Sequence, residues 1–379
     1  MDFQLSDEQV MIQDMARGFA EAELAPHSGM WDEEKFLDRG VFERAAELGF
    51  LGIYTSDEHG GTGLSRLDSA LVFEQLAAGD VSHTAMMTIH NMATWMIDRY
   101  GSDELRARFV PRLVSGELIA SYCLTEPGAG SDAASLSTKA ARDGDDYVLN
   151  GSKSFISGAG WSDVYVVMAR TSDDGARGVS CFVVEKGTPG LAFGAQEKKM
   201  GWNAQPTAQV MFEDCRIPAA NRVGAEGDGF KFAMSGLDGG RINIGACSLG
   251  GAQKALEASL TYTRERQQFG KAIAEFQNTQ FMLADMATEL EAARMMIYRA
   301  ADMVDKKAAG AGAACAMAKR FATDVCSKIA NDALQLHGGY GYLKDYPVEQ
   351  IVRDLRVHQI LEGTNQIMRM IVGRSLLRQ

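Results

Sequence analysis

The chain has 379 residues, 46% of them apolar, and a formal net charge of −12 at pH 7. This length exceeds what one hydrophobic core usually serves, so the sequence predicts two or three domains. The acidic balance argues against nucleic acid or an anionic membrane as the main partner. No apolar run approaches the roughly 20 residues of a membrane span. No secretory signal follows Met1, so we expect an intracellular protein without membrane insertion.

The first part of the chain, residues 1–117, has helical periodicity. Ser6 and Gln9 have the spacing of a capping box in front of the first apolar series. A single long helical stretch is predicted from about Leu71 to Ile97. This part should therefore be an α-helical domain.

The pattern changes in residues 118–228, where short β-rich segments alternate with turn residues. Asn150-Gly151 is the dipeptide most typical of a tight hairpin, and it predicts a turn between two strands. Helical periodicity returns in residues 229–379, in long segments rich in alanine and methionine. Their wide apolar faces favour helices packed on several sides, as in a bundle or an oligomer.

Six cysteines are scattered along the chain without the paired spacing of a zinc or redox site. We expect reduced, mostly buried thiols. His337 has no second ligand at metal-binding spacing, which favours a packing role, and we predict no metal site.

The segment Tyr122–Asp132, YCLTEPGAGSD, combines backbone freedom with hydroxyl groups, as a loop against a planar, phosphate-bearing ligand requires. Its glycines stand at the start of the β-rich part and outside a βαβ unit, so a Rossmann loop is rejected. A plain connecting loop after a buried strand is an equally good interpretation of this segment alone. Phe155 and Ser157 share one strand face, which suits a flat ring or an ordinary half-buried strand.

Two later segments also have two interpretations each. Arg264–Gly270, RERQQFG, suits a pyrophosphate and an adenine, or it is a solvated helix end. Gln335–Tyr342, QLHGGYGY, has glycine amides that suit an anion, or it is a helix C-cap. Near the C-terminus, LEGTNQ carries Glu362 between Leu361 and Gly363. In a chain without a metal-ligand cluster, this carboxylate is a candidate general base.

Taken together and in this order, these segments and FISGAG resemble acyl-CoA dehydrogenases over essentially the whole chain. The resemblance implies an α+β multidomain fold with an N-terminal α-helical domain, a central β-barrel-like domain and a C-terminal four-helix bundle. The corresponding boundaries are 1–117, 118–228 and 229–379. It also implies a homotetramer with one FAD per subunit, acyl-CoA as substrate and electron-transferring flavoprotein as acceptor.

The resemblance assigns roles residue by residue. Glu362 matches the catalytic base. The residues that match FAD contacts are Tyr122, Leu124, Thr125, Ser131, Phe155, Ser157, Arg266, Phe269, Phe276, Gln277, Gln335, Gly338, Gly339, Thr364, Asn365 and Gln366, with the group from Arg266 to Gly339 reaching the FAD of a neighbouring subunit. The residues that match acyl-CoA contacts are Ser131, Asp238, Gly240, Arg241, Leu361, Gly363 and Arg374.

One position separates subfamilies. Some members carry their base just before the arginine that matches Arg241, and here that position is Gly240, which leaves Glu362 as the candidate. The segment DGGRINI and Leu361, where medium-chain members tend to have tyrosine, favour isobutyryl-CoA as substrate, as in valine catabolism. Butyryl-CoA and 2-methylbutyryl-CoA are the alternatives.

Other classes are an acyl-CoA oxidase, whose further C-terminal domain is not seen here, and a non-catalytic flavoprotein or DNA-binding member. The expected compartment is the bacterial cytoplasm, or the mitochondrial matrix for a mature eukaryotic chain.

Overall fold

The computed structural model describes residues 4–377, and it begins with a helical part. Ser6 caps the first helix as predicted, because its hydroxyl accepts from Gln9 N and the Gln9 side chain accepts from Ser6 N, each at 3.2 Å. The helices of this part are α1 (Asp7–Phe19), α2 (Ser28–Glu34), α3 (Arg39–Glu47), α4 (Arg66–Gly79), α5 (Val81–Tyr100) and α6 (Asp103–Val114).

The prediction of one long helix through this region is wrong, since α4 and α5 are separate helices. Asp80 lies between them with extended backbone, and its carboxylate accepts from His83 N at 2.7 Å as the N-cap of α5. Gly79 packs closely on the helical turn Ala20–Leu24, which follows α1, and a Cβ at Gly79 would lie 2.8 Å from the Cβ of Leu24. Because of this break, α4 and α5 pack against different neighbouring elements.

An eight-stranded sheet follows. Its strands are β1 (Ala120–Cys123), β2 (Lys139–Asp143), β3 (Asp146–Ser157), β4 (Val164–Arg170), β5 (Val179–Glu185), β6 (Leu191–Phe193), β7 (Thr207–Pro218) and β8 (Arg222–Val223). They lie in the order β6-β7-β3-β2-β4-β5-β8, with β1 parallel to β4. Short strands with turn residues between them produce the predicted central β part.

The predicted hairpin at Asn150-Gly151 is wrong. These residues lie inside β3, at an irregularity in its pairing with β7, and Gly151 has a φ of 144°. A Cβ at Gly151 would lie 2.6 Å from the Thr138 hydroxyl, so glycine serves close packing here. The tight turn joins β2 to β3 instead, where Gly144 has a φ of 63° and Asp143 faces Asp146 across the ladder.

The last part is helical, with a small two-stranded arm after its first helix. The elements are α7 (Gly229–Glu265), β9 (Gln267–Gln268), β10 (Lys271–Ala272), α8 (Gln277–Asp305), α9 (Ala311–His337), α10 (Val348–Arg356) and α11 (Asn365–Leu377). Helix α7 packs against α8, α9, α4 and α5. The predicted α+β arrangement with a C-terminal bundle is confirmed.

One apolar core joins the N-terminal and C-terminal helical parts, and two others cover the two faces of the sheet. Because α4 and α7 lie in the same core, the first and last parts of the chain meet along α7. The predicted domain boundaries therefore stay predictions.

Among residues 4–377, no helix is both long and apolar enough to cross a bilayer. No group of three or more His, Cys, Asp or Glu in that range is arranged to hold a metal ion. All six cysteines are buried and unpaired. His337 packs as predicted, since it is buried and its ring stacks on Tyr262 at 4.4 Å.

Candidate active site

Glu362 stands in a reversed turn, Glu362–Gly363, just before α11. Its φ is 56° and that of Gly363 is 85°, so two consecutive residues have left-handed backbone. Glycine adopts this conformation freely, whereas glutamate does so only where its surroundings hold it. Strained backbone of this kind is frequent at functional sites.

One oxygen of the Glu362 carboxyl group is removed from water, while the residue as a whole is partly exposed. Its Oε2 is buried and has no hydrogen-bond partner within the described part of the chain. Burial raises the pKa of Glu362 to about 7, while Arg241 and Lys319 act to lower it. A carboxylate poised near neutral pH has the proton affinity that a general base needs.

The residue that faces this carboxylate is Gly240 of α7. A Cβ built on Gly240 would lie 2.4 Å from Glu362 Oε2, so the absence of a side chain leaves the space that the carboxylate fills. The next residue, Arg241, donates from Nε to the Glu362 carbonyl at 3.4 Å and forms an ion pair with Asp238. The predicted residues Asp238, Gly240, Arg241 and Gly363 thus meet around Glu362.

A wall formed by Tyr54, Arg66 and Trp95 lies next to Gly239 and Gly240 of α7. Tyr54 is buried, and its hydroxyl accepts from Asn243 Nδ2 at 3.1 Å. The guanidinium of Arg66 lies 3.5 Å over the Tyr54 ring and 5.0 Å from the Trp95 ring centre. A Cβ on Gly239 would lie 2.6 Å from Arg66 Nη1, which has no partner in residues 4–377.

The Tyr122–Asp132 segment approaches the same site from the sheet. The Tyr122 hydroxyl is buried without a partner in the described range. Burial raises the pKa of Tyr122, and the charge of Glu362 raises it further, which places the two side chains in one electrostatic environment. Leu124 is buried, Thr125 is partly buried and Ser131 is exposed.

A buried ion pair holds this segment against the sheet. Lys153 Nζ donates to Glu126 Oε1 at 2.7 Å and to the Leu124 carbonyl at 3.1 Å. Glu126 also accepts from the backbone of Ser137 and Thr138. Because an unpaired buried charge is costly, this set fixes the loop to strand β3.

Phe155 lies at a second irregularity of β3, so β3 is not an ordinary strand at this position. The ladder with β7 shifts between Lys153 and Ile156, and Phe155 has a φ of 58°. Its ring is 67% exposed, while the neighbouring Ser157 is partly buried. The bulge turns an aromatic ring outward beside a hydroxyl.

A second group of predicted residues forms a separate cleft of about 420 Å³. Arg266, Gln335, Gly338 and Gly339 line it, at the C-terminal ends of α7 and α9. No hydrogen bond or ion pair in the described part of the chain joins these residues to Glu362.

The arm beside this cleft presents Phe269 at its tip. Phe269 and Gly270 have positive φ, as a two-residue hairpin turn requires, and Gln268 pairs with Lys271. The Phe269 ring is 94% exposed and contacts Phe276, next to Gln277 at the start of α8.

The remaining predicted residues lie on and before α11. Thr364, Asn365 and Gln366 line a cavity of about 220 Å³ together with Asp324, Arg356 and Arg369. Leu361 is partly buried and packs at the edge of the core. Arg374 is exposed and has no hydrogen bond or ion pair within residues 4–377, so the structure does not bring it to Arg241.

Sequence reasoning missed several residues around the site, namely Tyr54, Arg66, Glu126, Lys153 and Lys319. Lys153 interrupts a β-rich segment and Lys319 an alanine-rich one, and a lysine among apolar residues is a signal of a buried charge that requires polar partners. Nothing in the sequence next to Tyr54 and Arg66 indicates that they belong to the site, because their partners are distant in the sequence.

Comparison with known proteins agrees with this arrangement. Models of acyl-CoA dehydrogenases match the N-terminal domain over residues 6–117, the middle domain over 121–215 and the C-terminal domain over 227–377. The chain therefore belongs to the acyl-CoA dehydrogenase family, as its sequence segments predicted.

Individual relatives cover nearly the whole chain. Mitochondrial isobutyryl-CoA dehydrogenase of Bos taurus is 56% identical over 375 residues, which span 99% of this chain and 90% of the bovine protein. The structure of butyryl-CoA dehydrogenase from Megasphaera elsdenii has a TM-score of 0.96 at 38% identity, with both chains covered completely. A FAD complex of PigA has a TM-score of 0.96 at 35% identity, again over 100% of both chains.

The contact between Gly240 and the carboxylate yields a prediction. In Gly240→Ala the new methyl group meets the far end of a flexible side chain, so the protein should fold with FAD while the carboxylate is pushed aside. We expect kcat for acyl-CoA oxidation to fall roughly 10- to 100-fold, as for other small displacements of a reacting group. Steady-state kinetics and FAD content measure this.

The matched control is Gly236→Ala, one turn earlier on α7. Its Cβ would lie 3.4 Å from Met96 Sδ, an ordinary contact. An unchanged kcat in Gly240→Ala would contradict the placement of the carboxylate.

Proposed function

We propose that this chain catalyses the FAD-dependent α,β-dehydrogenation of a short, branched acyl-CoA, with isobutyryl-CoA as the favoured substrate and Glu362 as the base. The observation that carries the proposal is the Glu362 carboxylate, whose Oε2 is buried against Gly240 and whose charge raises the pKa of Tyr122. The identity of 56% to an isobutyryl-CoA dehydrogenase supports the choice of substrate.

The residues present fit FAD. Thr125, Ser131 and Ser157 have hydroxyl groups without partners in residues 4–377, and the Tyr122 hydroxyl is buried without one. Phe155 offers an exposed ring beside them. These donors next to an aromatic face suit the edge and face of a flavin ring. FAD, when bound, supplies the acceptor for the β-hydride of the substrate.

The predicted contacts of Phe269, Phe276, Gln277, Gln335, Gly338 and Gly339 belong to the same proposal. Gln335, Gly338 and Gly339 line the cleft that contains Arg266, a cation suited to a pyrophosphate, whereas Phe269, Phe276 and Gln277 lie on the neighbouring arm and at the start of α8. The cleft lies apart from Glu362 within one chain. This separation supports an assembly in which one subunit completes the FAD site of another, and we propose a homotetramer. Electron-transferring flavoprotein is the proposed acceptor of the electrons.

The chain's own groups account for proton removal. Glu362 takes the α-proton of the thioester, because burial gives its carboxylate a pKa of about 7 and therefore a high proton affinity. The Glu362 N–H has no partner among the described residues, so it is free to donate to the thioester oxygen as negative charge develops there. The apolar neighbour Leu361 helps to exclude water.

The residues packed beside α7 limit the length of the acyl group. Tyr54, Arg66 and Trp95 support one another through ring and guanidinium contacts next to the Gly239–Gly240 step. We propose that this rigid wall excludes long straight chains. Asp238, Arg241 and Arg374 keep their predicted role as contacts of the acyl-CoA.

The base is tested with Glu362→Gln. The variant should retain FAD, since the amide has the size of the carboxyl group. Anaerobic bleaching of its flavin by isobutyryl-CoA should be slower by at least about 10²- to 10⁴-fold, because no group remains to take the proton. Stopped-flow absorbance measures the rate, and bleaching at the wild-type rate would refute the assignment.

A panel of acyl-CoAs tests the choice of substrate with the wild-type protein. Fastest bleaching by a straight chain of eight carbons or more would refute isobutyryl-CoA as the favoured substrate.

The wall is tested with Arg66→Ala. Removing the guanidinium opens space beside Gly239, so the ratio of kcat/KM for hexanoyl-CoA to that for isobutyryl-CoA should rise about 10-fold or more, within the range that a few methylene groups produce. Arg44→Ala, an exposed arginine of α3 outside the site, tests for effects of charge removal alone on this ratio. An unchanged ratio in Arg66→Ala would show that this wall does not limit the acyl group.

A further inference from the structure

Lys319 is a buried cation behind the reversed turn. It lies in α9, is 0% exposed, and donates from Nζ to the Gly363 carbonyl and to Asn365 Oδ1, each at 2.9 Å. Gly363 follows Glu362 directly, and Asn365 begins α11. One ammonium group therefore ties the turn and the next helix to α9.

No carboxylate forms an ion pair with Lys319 in the described part of the chain. Burial lowers its pKa to about 8, and Glu362 is the strongest charge acting in the opposite direction. In return, Lys319 lowers the pKa of Glu362, which burial raises. The two groups are therefore linked electrostatically, although no hydrogen bond joins them.

Other groups also face the carboxylate. Arg241 approaches from α7, but it forms an ion pair with Asp238, which offsets part of its charge. Tyr54 and Tyr122 lie in the field of Glu362 as neutral hydroxyl groups with raised pKa. Lys319 thus differs from Arg241, since it forms no ion pair in the described part of the chain, although Asp324 acts on it without direct contact and raises its pKa.

We propose that Lys319 is a positioning residue for the base: it holds the reversed turn through the Gly363 carbonyl, and its charge favours the ionised form of the nearby Glu362 carboxylate. This inference rests on the proposed function, because it requires Glu362 to be the base. The class of substrate does not matter to it.

The test is the pH dependence of anaerobic flavin bleaching by isobutyryl-CoA. In the wild type the rate should rise with pH through a midpoint near 7, since only the carboxylate can accept a proton. Lys319→Gln keeps a donor for the Gly363 carbonyl and removes the charge. Its midpoint should move upward by about 0.5–1 pH unit, because loss of a nearby cation makes the carboxyl group harder to ionise. Lys319→Arg should restore the wild-type midpoint.

An infrared titration of the substrate-free holoenzyme supplies a readout that does not depend on turnover. The protonated carboxyl band that is lost in Glu362→Gln identifies the group. This band should disappear near pH 7 in the wild type. It should disappear at higher pH in Lys319→Gln.

Two controls separate charge from structure. Lys328→Met removes an exposed lysine of the same helix and should leave the midpoint unchanged. Thr323→Val removes a hydroxyl that bonds to Asn365 at 2.9 Å, so it loosens the same contacts while the cation remains. An upward shift in Thr323→Val, or no shift of the infrared midpoint in Lys319→Gln, would overturn the inference.

Failure of the proposed function has a different signature. In that case isobutyryl-CoA does not bleach the wild-type flavin, or Glu362→Gln is bleached at the wild-type rate. Failure of the inference alone leaves both of these results intact while the midpoint of Lys319→Gln does not move.

Discussion

The site depends on one constraint, the left-handed backbone of the reversed turn Glu362–Gly363. Without it the chain would continue toward α11 with the carboxyl group directed elsewhere. Lys319 and the Glu362 carbonyl's contact with Arg241 hold the turn between α9 and α7. Its consequence is a carboxylate that fills the space left by Gly240 and has its Oε2 shielded from water, and this burial raises the pKa of Glu362 to about 7. The chemistry follows from this burial.

The rest of the fold surrounds that carboxylate with elements from distant parts of the sequence. Because the N-terminal and C-terminal helices share a core, Tyr54 and Arg66 reach α7 from the first part of the chain. The sheet brings Tyr122 to the same environment, braced by the buried pair of Lys153 and Glu126. Each of the three parts thus contributes one side of the site, and no single part would form it.

The sequence predicts much of this architecture because its segments are long and periodic, or because they match a family. Glu362, the helical ends and the β-rich centre are of this kind. The hairpin prediction at Asn150-Gly151 was wrong because a positive φ occurs in strand bulges as well as in turns. Only the closeness of Thr138 shows that this position is a bulge. The burial of Lys319 has a signal in the sequence, but the contacts that Lys319 and Arg66 make could not be predicted, since only the fold supplies their partners.

The most direct test is a crystal structure of the FAD-bound protein with an isobutyryl-CoA analogue that cannot be oxidised. We expect a Glu362 carboxylate oxygen about 3–3.5 Å from the α-carbon of the acyl group, the distance of groups poised to react. The reversed turn and the contact between Lys319 and Gly363 should be retained. A carboxylate turned toward solvent, or an α-carbon bound away from Gly240, would contradict the assignment of Glu362 as the base.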